Sequence, residues 1–276
     1  MTSHDVVNVL RRTLGERRIG HSGTLDPDAT GVLLCGVGTV TRVLRYLTDL
    51  PKTYTGEVVL GTDTSTLDAS GEVVARYEMA EVSLAAARAA ASTLTGDILQ
   101  VPPMVSALKV DGRRLHELAR EGIEIERAAR PVTVHRFDVR STADPGVLAI
   151  EVQCSSGTYV RTLAQDLGHV LGGGAHLRNL RRTAIGSFTA SVEECSSLDD
   201  VRLLEPAVAL RDYASVSVDA DTVALVRHGR VLPLVPRFVG DGPWAVLGPD
   251  GALLAVYERH GEAAKPAVVL SDTTAN

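Results

Sequence analysis

The chain has 276 residues, 45% of them hydrophobic and 22% charged, enough to bury a core without disulfide or metal staples. No apolar run approaches the roughly 20 residues of a membrane span, and the start Met1-Thr2-Ser3-His4-Asp5 has neither the basic nor the apolar part of a secretory signal; a membrane protein is excluded and the cytoplasm is the expected compartment. The net charge of −6 argues against a protein that coats nucleic acid indiscriminately, because such binding is mainly phosphate electrostatics, but it permits local arginine clusters.

Taken in order, Ser3 reads as an N-cap, Val6, Val7, Leu10 and Leu14 form one helix face, and Gly15 is the stop. Val32 to Val37 reads as a short buried strand, and Val40, Val43, Leu44 and Leu47 line a helix ending before Pro51. In the strand that follows, Tyr54, Gly56, Val58 and Leu60 share a face. Gly61 to Gly71 is a polar loop, and an alanine-rich helix begins at a Ser83 cap and closes at Gly96. Ser106 to Val110 reads as a strand ending in an Asp111-Gly112 turn, before a short helix through Leu115 and Leu118. Two longer strands span Val132 to Arg140 and Val147 to Ser155, and Leu163, Leu167 and Leu171 mark a helix stopped by Gly172-Gly173-Gly174. Without regular βαβ alternation, this mixture predicts an α+β domain around a mixed sheet. A second unit of short strands is expected from about Tyr213, with a hairpin at Pro249-Asp250-Gly251.

Most short motifs carry no weight. Gly36-Val37-Gly38 lacks the third glycine of a dinucleotide fingerprint, and Asp63, Ser65 and Asp68 lack the glycine and terminal glutamate of a calcium loop. The histidines include no HExxH, so nothing suggests a metal site. Cys35, Cys154 and Cys195 form no CxxC pair and read as buried small hydrophobes. The segment from Gly20 to Gly31 differs, since it places His21, Asp26 and Asp28 among glycines between a basic helix end and a buried strand. Loops held by rigid neighbours often carry catalytic groups, although composition alone favours a structural turn.

The run Gly20-His21-Ser22-Gly23-Thr24-Leu25-Asp26-Pro27-Asp28-Ala29-Thr30-Gly31-Val32-Leu33 closely resembles the active-site motif of the TruB-type tRNA pseudouridine synthases. Lys52-Thr53-Tyr54, Gly61 through Asp68 to Gly71, Gln100 to Lys109, Cys154 to Arg161 and Leu177 to Arg182 resemble the same family in the same order. Members usually begin with a strand and Lys-Pro-x-Gly-x-Thr-Ser, whereas this chain opens at Met1-Thr2-Ser3, which bears on either the start site or the completeness of the sheet; a missing edge strand would mean poorer solubility or stability than a longer version has.

The resemblance implies isomerisation of uridine 55 in the tRNA T loop by a cofactor-free enzyme. Asp26 would serve the ribose or base, with the choice between nucleophile and ribose base left open, and Arg161 would keep it ionised. Tyr54 would stack on the base and assist loss of the C5 proton, Tyr159 and Leu180 would frame the pocket, and Asp68 and Lys109 would support the site or the RNA. His21 would fill the vacated space or hold the flipped loop, and Arg178, Arg181 and Arg182, ahead of Arg113 and Arg114, would meet phosphates. Residues 1–212 are then the catalytic domain and 213–276 a PUA-like RNA-binding domain. The expected partner is tRNA, with no membrane or metal, and the protein is expected to be a monomer. An RNA chaperone that does not modify its RNA, and a hydrolase that releases free base, are the alternatives.

Overall fold

The computed structural model describes residues 1–79, 81–106, 108–110, 112–191 and 195–270. The first stretch holds α1 (Ser3–Leu14), β1 (Ile19–His21), β2 (Thr30–Gly31), β3 (Cys35–Val37), a 3-10 turn over Gly38–Val43 and α2 (Leu44–Asp49). The middle holds β4 (Lys52–Leu60), β5 (Thr62–Thr64), β6 (Val73–Arg76), α3 (Leu84–Thr93), β7 (Gly96–Gln100), β8 (Lys109–Val110), β9 (Arg113–Arg114), α4 (Leu115–Arg120), β10 (Arg130–Ser141), β11 (Val147–Cys154), α5 (Val160–Val170) and β12 (Ala175–Ile185). The last stretch holds β13 (Phe188–Thr189), a 3-10 turn over Pro206–Leu210, β14 (Ala214–Ser217), α6 (Ala220–Arg227), β15 (Leu232–Pro233), β16 (Trp244–Leu247), β17 (Leu253–His260) and β18 (Ala263–Val269). Two compact units result: Met1–Pro27, Val32–Leu50 and Gly186–Asn276 form one, and Asp28–Gly31 with Pro51–Ile185 form the other.

In the second of these units, β12, β4, β11, β10 and β7 are neighbours in that order and antiparallel, while β2 adds to β12 in parallel. The alternation expected of β4 follows from the pleat: Gly56 and Val58 are buried and their neighbours less so. Val58 packs with Leu148, Ile150 and Val152 of β11, Leu163 and Leu167 of α5, and Ala87 and Ala91 of α3. Alanines at the contact face of α3 let its backbone come close to the sheet, and Ser83 caps it by accepting from the Ala86 amide at 3.2 Å. This is an α+β arrangement around a mixed, mainly antiparallel sheet.

In the other unit, a sheet runs in the order β14, β16, β17, β18, β15, with β14 and β16 parallel. The hairpin at Pro249-Asp250-Gly251 joins β16 to β17, closed by the Gly248 amide donating to the Ala252 carbonyl at 2.9 Å. Trp244 is wholly buried and donates its indole N–H to the Val239 carbonyl at 2.7 Å. Tyr46 of α2 donates its hydroxyl to Glu258 of β17 at 2.7 Å and meets Tyr213 edge-on at 5.9 Å, so α2 and this sheet share one core.

Several local expectations change. The cap of α1 is Thr2, whose hydroxyl accepts from the Asp5 amide while Asp5 reaches back to the Thr2 amide; Ser3 is instead the first helical residue, and buried. Between Val32 and Val37 only the last three residues are strand, and the helix after them starts as a 3-10 turn. The polar loop from Gly61 carries β5, paired with β6. Of the expected strand over 106–110, Lys109–Val110 forms, while Ala107 and Asp111 lie outside the described residues. Helix α6 was not anticipated, because Asp219 caps it without a strong apolar period to announce it. Of the cysteines only Cys154 is buried; Cys35 is half-buried and Cys195 exposed. Burial pushes the Cys35 and Cys154 thiols up to about 11, so both stay protonated and unreactive near neutrality.

Gly168 is where α5 lies against the start of β12: an added methyl would meet the Gly174 carbonyl carbon at 2.5 Å and the Ala175 nitrogen at 2.6 Å. Neither is a flexible side-chain end, so Gly168→Ala must push helix and strand apart, and it is expected to lower unfolding free energy by about 1–3 kcal/mol. A urea midpoint equal to that of the parent protein is incompatible with this packing.

Candidate active site

The Asp26 loop grows out of a small hairpin. β1 and β3 pair antiparallel with Ile19 opposite Val37, Gly20 opposite Gly36 and His21 opposite Cys35, and the Ser22 amide extends the ladder to the Leu34 carbonyl at 3.0 Å. His21 Nδ1 accepts from the Gly23 amide at 3.3 Å, which turns the chain away from the ladder. The Leu25 amide then donates to the Ser3 hydroxyl at 2.8 Å, and Asp26 follows, half-buried. Beyond Pro27 the chain passes into the other unit, where Thr30 and Gly31 run parallel to β12 opposite Arg181 and Arg182. Gly31 has φ +107°, and a side chain there would place its Cβ 2.0 Å from the Arg182 carbonyl oxygen, so only glycine can make this approach. Asp26 thus sits on a turn held at both ends.

Arg161 lies in the first turn of α5 and is 4% exposed. Nη1 donates to the Thr66 carbonyl and Nη2 to the Val105 carbonyl, each at 2.9 Å, and Nη1 is 3.5 Å from Asp68 Oδ2. The planar fork joins two distant loops through separate nitrogens held in fixed geometry. Asp68 is held in turn: its Oδ1 accepts from the Thr66 and Ser70 hydroxyls, both at 2.6 Å, and its backbone bridges to Leu177 of β12. The resemblance singled out Arg161 and Asp68 as separate residues; here they share an ion pair.

Tyr54 on β4 and Leu180 on β12 both border the core of the sheet, with Arg182 directly across the ladder from Tyr54. Between Arg178 and Arg181 the register of β12 shifts around Asn179, whose φ is +54°. Such a bulge turns the side chains beside it out of simple alternation, and Leu180 is one of them. Tyr159 precedes α5, half-buried, with its backbone gripped on both sides by Gln100: the Tyr159 amide donates to Oε1 at 2.7 Å, and Nε2 donates to the Tyr159 carbonyl at 3.1 Å. Lys109 lies on β8, but its side chain is outside the described part.

The three arginines of β12 have different surroundings. Arg178 is paired with Glu57 at 2.6 Å and Asp144 at 3.1 Å, whereas Arg181 is exposed and reaches the Thr30 hydroxyl at 3.3 Å. Arg182 is 1% exposed. Sequence reading treated them alike because adjacent arginines on a bulged strand show no difference in type or spacing. It gave no role to Gln100 and read Ser3 only as a helix cap, yet each grips backbone; Gln100 had at least a signal, since it opens one of the family-like segments.

Comparison with known proteins agrees along the whole chain. The N-terminal domain model of the TruB family pseudouridylate synthases matches residues 11–160, a tRNA pseudouridylate synthase B C-terminal domain model matches 161–212, and a tRNA pseudouridine synthase II C-terminal model matches 213–271. The tRNA pseudouridine synthase B of Arthrobacter sp. (strain FB24) is 43% identical, covering 98% of this chain and 93% of its own. That of Mycobacterium ulcerans (strain Agy99) is 44% identical, covering 99% and 92%. Among solved structures, a chain in a Cbf5-Nop10-Gar1 complex superposes with a TM-score of 0.73 at 22% identity, over 98% of this chain and 81% of that one. A chain of an H/ACA ribonucleoprotein bound to a substrate RNA gives 0.71 at 20% identity, over 98% and 82%. At those identities the superpositions speak to the fold, while the sequence matches decide the family: the chain belongs to the TruB family of pseudouridylate synthases.

Proposed function

We propose that the protein converts uridine 55 in the T loop of tRNA to pseudouridine, with Asp26 as the catalytic carboxylate and no cofactor. The observation that carries this reading is the doubly held turn bearing Asp26 in a chain that matches tRNA pseudouridine synthases end to end. The C1′–N1 bond breaks, the uracil turns over, C1′ bonds to C5, and the proton lost from C5 is balanced by one gained at N1. Breaking the glycosidic bond builds positive character on the ribose, which an adjacent carboxylate stabilises or traps. The resemblance gives Arg161 the role of the positive charge that favours the carboxylate form of Asp26. Tyr54 stacks on the extruded base and faces the C5 proton, Tyr159 and Leu180 close the pocket, and Asp68 and Lys109 support it. His21 fills the space left by the flipped uridine, at an unstacking cost of a few kcal/mol.

Residues 213–276 act as a PUA-like RNA-binding domain and 1–212 as the catalytic domain, in a monomer working in the cytoplasm. Among the described residues no helix is long and apolar enough to cross a membrane. Of the β12 arginines, Arg181 is the phosphate contact, because it alone is exposed without a carboxylate already in its grip.

Asp26→Asn is expected to reduce release of tritium from C5-labelled uridine in tRNA by roughly 10³-fold or more while tRNA affinity stays within about threefold. Nucleotide mapping of unmodified tRNA after incubation gives the substrate: an unchanged T-loop uridine defeats the assignment, and free uracil would make the protein a hydrolase. Arg161→Lys leaves the Thr66 and Val105 carbonyls without their shared donor, and should cost roughly 2–4 kcal/mol of stability. Unaltered chemical denaturation would show that the fork is not needed. Arg181→Ala should weaken tRNA binding about tenfold and flatten the log affinity against log salt slope by about one, whereas Arg182→Ala should act on stability, by about 3 kcal/mol. Equal salt slopes for Arg181→Ala and the parent protein count against the phosphate role.

A further inference from the structure

Ser3 is 5% exposed, stands at the start of α1, and spends its hydroxyl on a loop 22 residues away. Its oxygen accepts the Leu25 amide at 2.8 Å and its proton points to the Leu25 carbonyl at 3.3 Å, the second contact being the weaker. Those two groups belong to different peptide planes. The carbonyl of Leu25 lies in the plane that also contains the amide nitrogen and Cα of Asp26. One hydroxyl therefore fixes both planes before Asp26, and with them the axis from which its side chain departs.

The anchor itself is firm. Thr2 and Asp5 close a capping box at the start of the helix, and Val7 and Leu10 pack with Ile19 of β1, so α1 is tied to the same hairpin that launches the loop. Because Thr2 is the cap, the Ser3 side chain is released from capping and available to Leu25.

We propose that Ser3 is a positioning residue for Asp26: it sets the direction of the carboxylate through the Leu25–Asp26 peptide. The proposal rests on the reading of Asp26 as the reacting group. Loss of the hydroxyl frees one side of the turn while the Thr30–Gly31 rung still holds the other, so chemistry suffers and RNA binding does not.

The test is steady-state turnover of unmodified tRNA by five variants of the full chain, each assayed at the same interval below its own melting temperature. Ser3→Ala is expected to lower kcat about 10- to 100-fold, the effect of a misplacement near 1 Å, with KM within about twofold. Ser3→Thr, which keeps the hydroxyl, restores kcat to within about threefold of the parent protein. Ser83→Ala removes the cap of α3, away from this contact, and lowers the melting temperature but leaves kcat unchanged. Parent-like kcat in Ser3→Ala overturns the proposal, as does an equal loss in Ser83→Ala or in Ser3→Thr, since the first would mark a general effect of lost stability and the second one that does not depend on the hydroxyl. If Ser3→Ala does not fold, Ser3→Cys decides: a thiol bonds weakly, so undiminished kcat overturns the role and a fall with unchanged KM supports it. Asp26→Asn, run alongside, separates the two readings. Turnover by that variant removes the parent reading, whereas its inactivity beside a fully active Ser3→Ala removes only the positioning role.

Discussion

The backbone on either side of Asp26 is anchored: the Leu25 amide donates to the Ser3 hydroxyl of α1, and Thr30–Gly31 pairs with β12. A carboxylate that must meet a transient charge cannot swing freely, because misalignment by an ångström costs more rate than most side-chain contacts provide. Backbone anchors achieve this better than side-chain ones. They act on peptide planes with no rotamers of their own. Gly31 makes the far anchor possible by allowing its backbone to lie against the Arg182 carbonyl, where any side chain would collide.

The sheet supplies the same kind of rigidity for the other candidate residues. β4 is central, paired with β11 on one side and β12 on the other, so Tyr54 is carried by a strand that cannot shift without breaking two ladders. Tyr159 sits on a turn, where rotation would be easy, and there Gln100 grips the backbone through both of its amide atoms. Arg161 then begins α5, whose leucines are buried in the core, so the buried guanidinium stands on a helix that cannot retreat. Its cost of burial is offset by two carbonyls and the Asp68 carboxylate.

Charge follows the same logic on β12. Arg178, Arg181 and Arg182 have one chemistry and three environments: paired, exposed and buried. A protein with net charge −6 has no general attraction for phosphate, so an exposed guanidinium such as that of Arg181 matters more than the arginine total.

The sequence by itself determined the class of fold, most helices and long strands, the hairpin after Val246, and the loop that carries Asp26. These are legible because they rest on local rules: apolar period, caps, turn residues, and a run of identities too long for chance. The cap of α1 was misplaced by one residue, since serine is the commoner cap and only the capping box with Asp5 favours Thr2 over Ser3. Tertiary structure alone decided that Ser3 reaches Leu25, that Gln100 grips Tyr159, that Arg161 joins Thr66 to Val105, and that Arg182 is buried where Arg181 is not. Each of these depends on which segments meet across tens of residues of chain, and an amide, hydroxyl or guanidinium has the same chemistry whichever backbone group folding brings within its reach.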